Sequence, residues 1–194
     1  MMLKNSLAVL ALFAGTTVAQ AATFEFTADL DSGQSTTTST STATGSASIS
    51  VDDVAQTIDF SLVVNGITID DLWDDLVAAP VGPVHIHDGV AGATGAIAIP
   101  FPFNSTYQSI LGGFTINSVG LDYDQATDLA GFDEDFDDFL AGLMGGEYYI
   151  NVHTDVDNGG AIRGQISAVP LPASSLLLLA GLGGFAAMRR KTSK

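Results

Sequence analysis

Apolar residues occupy every second position in Phe24-Glu25-Phe26-Thr27-Ala28-Asp29-Leu30. Successive side chains of a strand point to opposite faces, so this run predicts a β-strand burying Phe24, Phe26, Ala28 and Leu30. The same period returns in Ser46 to Val51, with Ile49 and Val51 inward, and in Thr57 to Val64, with Ile58, Phe60, Leu62 and Val64 inward, a second hairpin pattern. Val84 to His87 predicts a strand with Val84 and Ile86 toward the core and His85 and His87 together on the other face. Ala96 to Ile99 reads as another strand and Phe114 to Ile116 as a short one, whereas Phe101 to Gly113 has little period beyond Ile110 and Leu111. In Tyr148 to His153, Tyr148, Ile150 and Val152 face one way and Tyr149, Asn151 and His153 the other. Asp157-Asn158-Gly159-Gly160 is turn chemistry, and Ala161 to Val169 reads as the returning strand.

Two stretches change period. Ile69, Leu72, Trp73, Leu76 and Val77 recur at helical spacing with Asp70 and Asp71 at the favoured N-terminal end, predicting a short helix over Asp70 to Val77 with Trp73 in the core. Phe132, Phe136, Phe139, Leu140 and Leu143 predict an amphipathic helix over Asp133 to Met144, with Asp133, Glu134 and Asp135 in its first turn and Gly145-Gly146 ending it. The pattern as a whole predicts an all-β antiparallel sandwich of about seven or eight strands with two short helices.

The two ends fall outside this pattern. Met1 to Ala22 carries Lys4, an apolar run from Leu7 to Gly15 and an Ala-x-Ala site, the order of a secretory signal cleaved by signal peptidase after Ala21. Val169-Pro170-Leu171-Pro172-Ala173 precedes an apolar stretch from Ala173 to Met188 and a basic tail, Arg189-Arg190-Lys191. This triplet resembles the VPLPA variant of the PEP-CTERM sorting signal, which in Gram-negative bacteria is cut by an exosortase. Its prolines would expose an extended segment to a protease. Sixteen helical residues span about 24 Å against a hydrocarbon core of about 30 Å, suiting a transient transmembrane anchor in the inner membrane with its basic tail cytoplasmic. The chain thus divides into a signal peptide (1–21), one domain (22–168) and a sorting signal (169–194). The expected destination is the cell surface or the medium.

Composition narrows what that domain can do. All 22 acidic residues fall within it against a single base, Arg163, which leaves a formal charge of −21. Such a field excludes nucleic acid as a partner and disfavours anionic membranes. With no cysteine, thiolate metal sites, thiol catalysis and iron–sulfur clusters are excluded, and the core must hold without disulfides. Arg163, alone in that charge, is expected within reach of a carboxylate or a strand-end carbonyl. Ser35 to Thr42, eight consecutive Ser and Thr residues, reads as a solvent loop that could carry glycans. The acidic stretch Asp122 to Asp138 invites Ca²⁺, but Ala126 stands where an EF-hand loop needs a ligand and Asp138 where it needs Gly, so a helix face is the better reading.

The two histidine-bearing strands carry a family resemblance. Val84-His85-Ile86-His87-Asp88-Gly89 and Glu147 to Ile166 (EYYINVHTDVDNGGAIRGQI) are similar to the motifs of the CHRD domain, a module named from chordin, departing at Ala161, where the family usually has Glu. The resemblance covers Phe24 to Ala168. It implies an immunoglobulin-like or superoxide-dismutase-like sandwich and no established activity.

No catalytic set stands out, so the favoured reading is a non-enzymatic surface or matrix module. A second is a metal site. His85, His87 and His153 are the only histidines of the chain, and HxH on a strand sets two imidazoles side by side with a third arriving from the neighbouring strand. Three cannot supply both sites of a copper,zinc dismutase, but they could hold one Zn²⁺ or Cu²⁺, with Asp88 and Asp155 the nearest carboxylates in sequence to orient them. Alternatively these histidines only hydrogen-bond within the sheet. A third reading gives the domain a polysaccharide or protein ligand bound through Tyr149, Tyr107 or the Ser/Thr loop.

Overall fold

The structure, a computed structural model, describes residues 22–170. The expected signal peptide, Leu171 to Ala173 of the expected sorting motif, the apolar stretch and the basic tail lie outside the described residues. Within them no helix is long and apolar enough to cross a membrane.

Among the described residues ten strands form two antiparallel sheets. They are β1 (Thr23–Leu30), β2 (Thr44–Asp52), β3 (Thr57–Asn65), β4 (Val84–Asp88), β5 (Ile97–Phe101), β6 (Tyr107–Ile110), β7 (Gly113–Asp122), β8 (Tyr148–Val152), β9 (Ile162–Gln165) and β10 (Ser167–Ala168). The larger sheet runs β10-β1-β2-β3-β7-β6 and the smaller β5-β4-β8-β9. Alternation explains the packing: Phe26, Ile49, Phe60, Leu62 and Ile116 from the first sheet meet Val84, Ile86, Ile150, Val152 and Ile162 from the second in one core. Phe60 and Phe101 stack across it with ring centroids 3.9 Å apart. An all-β sandwich is therefore what the described residues form.

Several details differ from expectation. The segment expected as one strand from Ala161 to Val169 breaks at Ile166 and changes sheets, β9 pairing with β8 and β10 with β1. Ile166 is wholly buried and its N–H donates to the Tyr148 carbonyl at 2.9 Å, so the switch happens between the layers. In place of a short strand at Phe114 to Ile116, β7 pairs with β3 along most of its length and β6 adds an edge. The helix expected over Asp70 to Val77 divides into a 3-10 turn at Ile69–Asp71 and a single helical turn, α1 (Asp74–Val77), because Leu72 between them is drawn into a β-bridge with Thr154. Trp73 is accordingly only half-buried. A helix not foreseen, α2 (Tyr123–Ala130), starts at Asp122, whose carboxylate accepts from the Gln125 N–H at 3.0 Å, and stops at Gly131 in the left-handed region. The last helix, α3 (Phe136–Gly145), begins three residues later than expected, with Asp135 as its N-cap.

The Ser/Thr tract is the expected solvent loop, exposed over most of its residues but anchored at two serines. The Ser35 hydroxyl donates to the Gly160 carbonyl at 2.9 Å and that of Ser39 to the Ala161 carbonyl at 2.8 Å, laying the tract across the turn between β8 and β9.

Candidate metal centre

One face of the smaller sheet faces the apolar core. The other carries His85 and His87 from β4, Tyr149 and Asn151 from β8, His153 just beyond it, and Arg163 and Gln165 from β9. A polar face in a two-layer sandwich ordinarily meets water. Here it is covered by the loop joining β4 to β5, by the Ser/Thr tract and by the segment around Trp73, and the relative exposure of His85, His87 and His153 falls to 1%, 8% and 8%.

Strand register brings the histidines together. His85 lies opposite Asn151 and His87 opposite Tyr149 in the β4–β8 ladder. His153 follows two residues after Asn151, which makes it the diagonal neighbour of His85 on the same face. Its backbone is fixed there, its N–H donating to the Pro83 carbonyl at 3.0 Å and its carbonyl accepting from the Trp73 N–H at 3.2 Å. Each of the three offers one ring nitrogen, and these atoms lie within 4.8 Å of one another. Tetrahedral ligation at about 2.0–2.1 Å sets nitrogens about 3–4 Å apart, so a contraction of about 1 Å would close the trio on an ion.

Hydrogen bonding fixes which nitrogen points inward. Nδ1 of His87 lies 3.1 Å from the Gly95 carbonyl and Nδ1 of His153 lies 2.8 Å from that of Asn158. A carbonyl only accepts, so Nδ1 carries the proton in both rings and a neutral imidazole leaves Nε2 its lone pair. Nε2 of His87 has no hydrogen-bond partner, and neither ring nitrogen of His85 has one. His153 Nε2 has only the Asn151 amide, at 3.3 Å.

Electrostatics keep the rings neutral. Burial is the largest cause, lowering His85 from its ordinary value to about 3 and His87 to about 4, and lowering His153 as well. Neighbouring imidazoles lower His85 further, and the Gly82 carbonyl opposes that shift without completing a hydrogen bond. Neutral imidazole is the form that ligates metal.

The carbonyls of Gly95 and Asn158 do what the sequence suggested for Asp88 and Asp155. The Asp88 side chain is exposed, and the Asp155 carboxylate accepts from the Asp74 N–H at 3.0 Å. Main-chain carbonyls carry no residue signature, so nothing in the sequence could have marked them. Tyr149 and Tyr107 are also corrected as ligand platforms, at 3% and 5% exposure. The Tyr107 hydroxyl donates to the Phe101 carbonyl at 2.8 Å.

Tyr149 instead organises the site. The His87 ring stacks on it from β4, with centroids 5.0 Å apart and planes at 7°, and the Arg163 guanidinium covers it from β9 with its central carbon 3.4 Å from the ring centroid. Arg163 is buried and donates to the carbonyls of Ala93 and Val90, the latter at 2.9 Å, and to the Gln165 side chain at 3.1 Å. In place of the carboxylate or strand-end carbonyl expected for it, it takes two carbonyls of the loop that also supplies the Gly95 carbonyl to His87. The histidine trio is the one group of three or more potential ligands that converges among the described residues.

The model of the CHRD domain matches residues 26–166, which span both sheets and all three histidines. No curated protein and no solved structure matches the chain. The chain belongs to the CHRD-domain family.

Proposed function

We propose that this chain is an exported, non-enzymatic surface or matrix module whose CHRD sandwich binds one transition-metal ion, zinc or copper, through His85, His87 and His153. The observation that carries the metal reading is the convergence of three neutral, buried imidazoles whose inward nitrogens lack protein donors apart from one amide. Desolvating a ring nitrogen without a partner costs about 1–3 kcal/mol, and a cation accepting all three lone pairs removes that cost at once. Such an ion would tie β4 to the end of β8 and reinforce the module.

Export rests on the sequence of the two ends: a signal peptide through Ala21, then Val169 to Ala173, the apolar stretch and Arg189-Arg190-Lys191. Signal peptidase and an exosortase would process the chain, which the inner membrane would hold only transiently. A polysaccharide or protein partner would have to engage surface other than Tyr107 and Tyr149, which are buried.

Titration of metal-free protein with Zn²⁺ and with Cu²⁺, followed by calorimetry and elemental analysis after gel filtration, tests the metal reading. It expects one equivalent bound by the unaltered chain and none by His87→Ala or His153→Ala. Equal uptake by the variants would end it. Mass spectrometry of the extracellular form tests export, which requires a start at Ala22 and an end near Ala173.

A further inference from the structure

We infer, on the reading that the three histidines hold one ion, that the site selects monovalent copper over divalent zinc. The ligand set is uncharged: among the described residues no carboxylate joins the three imidazoles. A fixed charge of the wrong sign for a dication acts on the trio. Arg163 lies over the same Tyr149 ring on which His87 stacks, and its charge acts on His87 against a further positive charge. The desolvation cost of an ion grows with the square of its charge, so a buried dication with neutral ligands and a neighbouring guanidinium is opposed far more strongly than a monocation.

Coordination number points the same way. Zinc held by three protein ligands takes a fourth, a water in open sites, which the burial of all three histidines disfavours here. Asn151, the nearest polar side chain, turns its amide N–H toward His153 Nε2 at 3.3 Å, and a donor cannot ligate. Its carbonyl oxygen, though without a hydrogen-bond partner, is on the other side of the amide beside Gly160, where a Cβ would lie only 2.3 Å from it. Cuprous ion, with a filled d shell and low charge, is satisfied by three imidazole nitrogens in a trigonal plane, so the trio suffices for it.

Competition on the full chain in detergent decides the matter. Protein loaded with one equivalent of Zn²⁺ is held anaerobically with ascorbate, Cu⁺ is added as its acetonitrile complex, and released zinc is read with a chromogenic indicator. One equivalent of Cu⁺ should displace nearly all the zinc. Arg163→Gln, which retains amide donors for the Val90 and Ala93 carbonyls, should narrow the Cu⁺ over Zn²⁺ preference by about tenfold or more. Zinc retained against excess Cu⁺ would overturn the selectivity while leaving a metal site standing, and so would a folded Arg163→Gln with an unchanged ratio. If that variant does not fold, the competition on the unaltered chain decides alone. Failure to bind either ion, or Cu⁺ uptake that survives His85→Ala, His87→Ala and His153→Ala, would overturn the selectivity together with the three-histidine reading beneath it.

Discussion

His85 is buried to 1% exposure with both ring nitrogens unpartnered, a state that a folded chain keeps only when something compensates it. In the metal-free protein this state makes stability depend on pH. Folded-state values of about 3 for His85 and about 4 for His87 lie below the ordinary 6.5, so on acidification the unfolded chain takes up protons first. Their contribution is complete above about pH 6.5 and is lost as pH falls toward 4 and then 3, at about 1.4 kcal/mol per pH unit for each ring. Carboxylates with lowered values, such as Asp71, act only at lower pH, so urea unfolding between pH 7 and 5 isolates the histidines. Stability flat across that window would contradict the burial argument. At Arg163 the expectation is a large loss, because Arg163→Ala strands the Val90 and Ala93 carbonyls and uncovers Tyr149. A destabilisation of about 3 kcal/mol or more is expected in denaturant melts, against about 0.5 kcal/mol for ordinary surface changes.

The elements that the sequence made legible are those whose residues alternate between apolar and polar, whether or not the polar face meets water. β1, β2, β3, β4 and β8 alternate cleanly, and their register alone brings the histidines together. What escaped has physical reasons. β6 buries only Tyr107 of its four residues, so an edge strand left no period to read. Leu72 fits a helical stripe but is drawn into a bridge with Thr154, a long-range pairing invisible in local spacing. The signals for α2 are present, Asp122 as cap and Gly131 past the end, but only Tyr123, Ala126 and Thr127 of its eight residues are buried, which leaves little apolar stripe to read. The roof over the histidines comes from loops whose contacts are carbonyls, so clustering was foreseeable and burial was not. The turn after β8 shows how closely that roof fits. Gly160 sits at φ +124°, and a Cβ there would lie 2.3 Å from the Asn151 side chain. Gly160→Ala should therefore cost about 2 kcal/mol or more in thermal melts and weaken metal uptake by displacing the residue beside His153. A neutral outcome would mean that the turn is not part of the site.

At the scale of the whole molecule, the domain sets 22 acidic residues around a site with no carboxylate of its own. That surface will collect divalent cations weakly, so stoichiometry alone can mislead, and added salt should strip surface ions while leaving a buried one in place. The burial that lowers the histidines also separates them from those surface carboxylates, so nitrogen and oxygen first shells report different sites. X-ray absorption on protein loaded with one equivalent of metal and washed in high salt is the most direct measurement. The account predicts a first shell of three imidazole nitrogens, at about 2.0–2.1 Å if the ion is zinc, with outer-shell imidazole scattering that disappears in His153→Ala. A first shell made of oxygen, unchanged by that substitution, would contradict it.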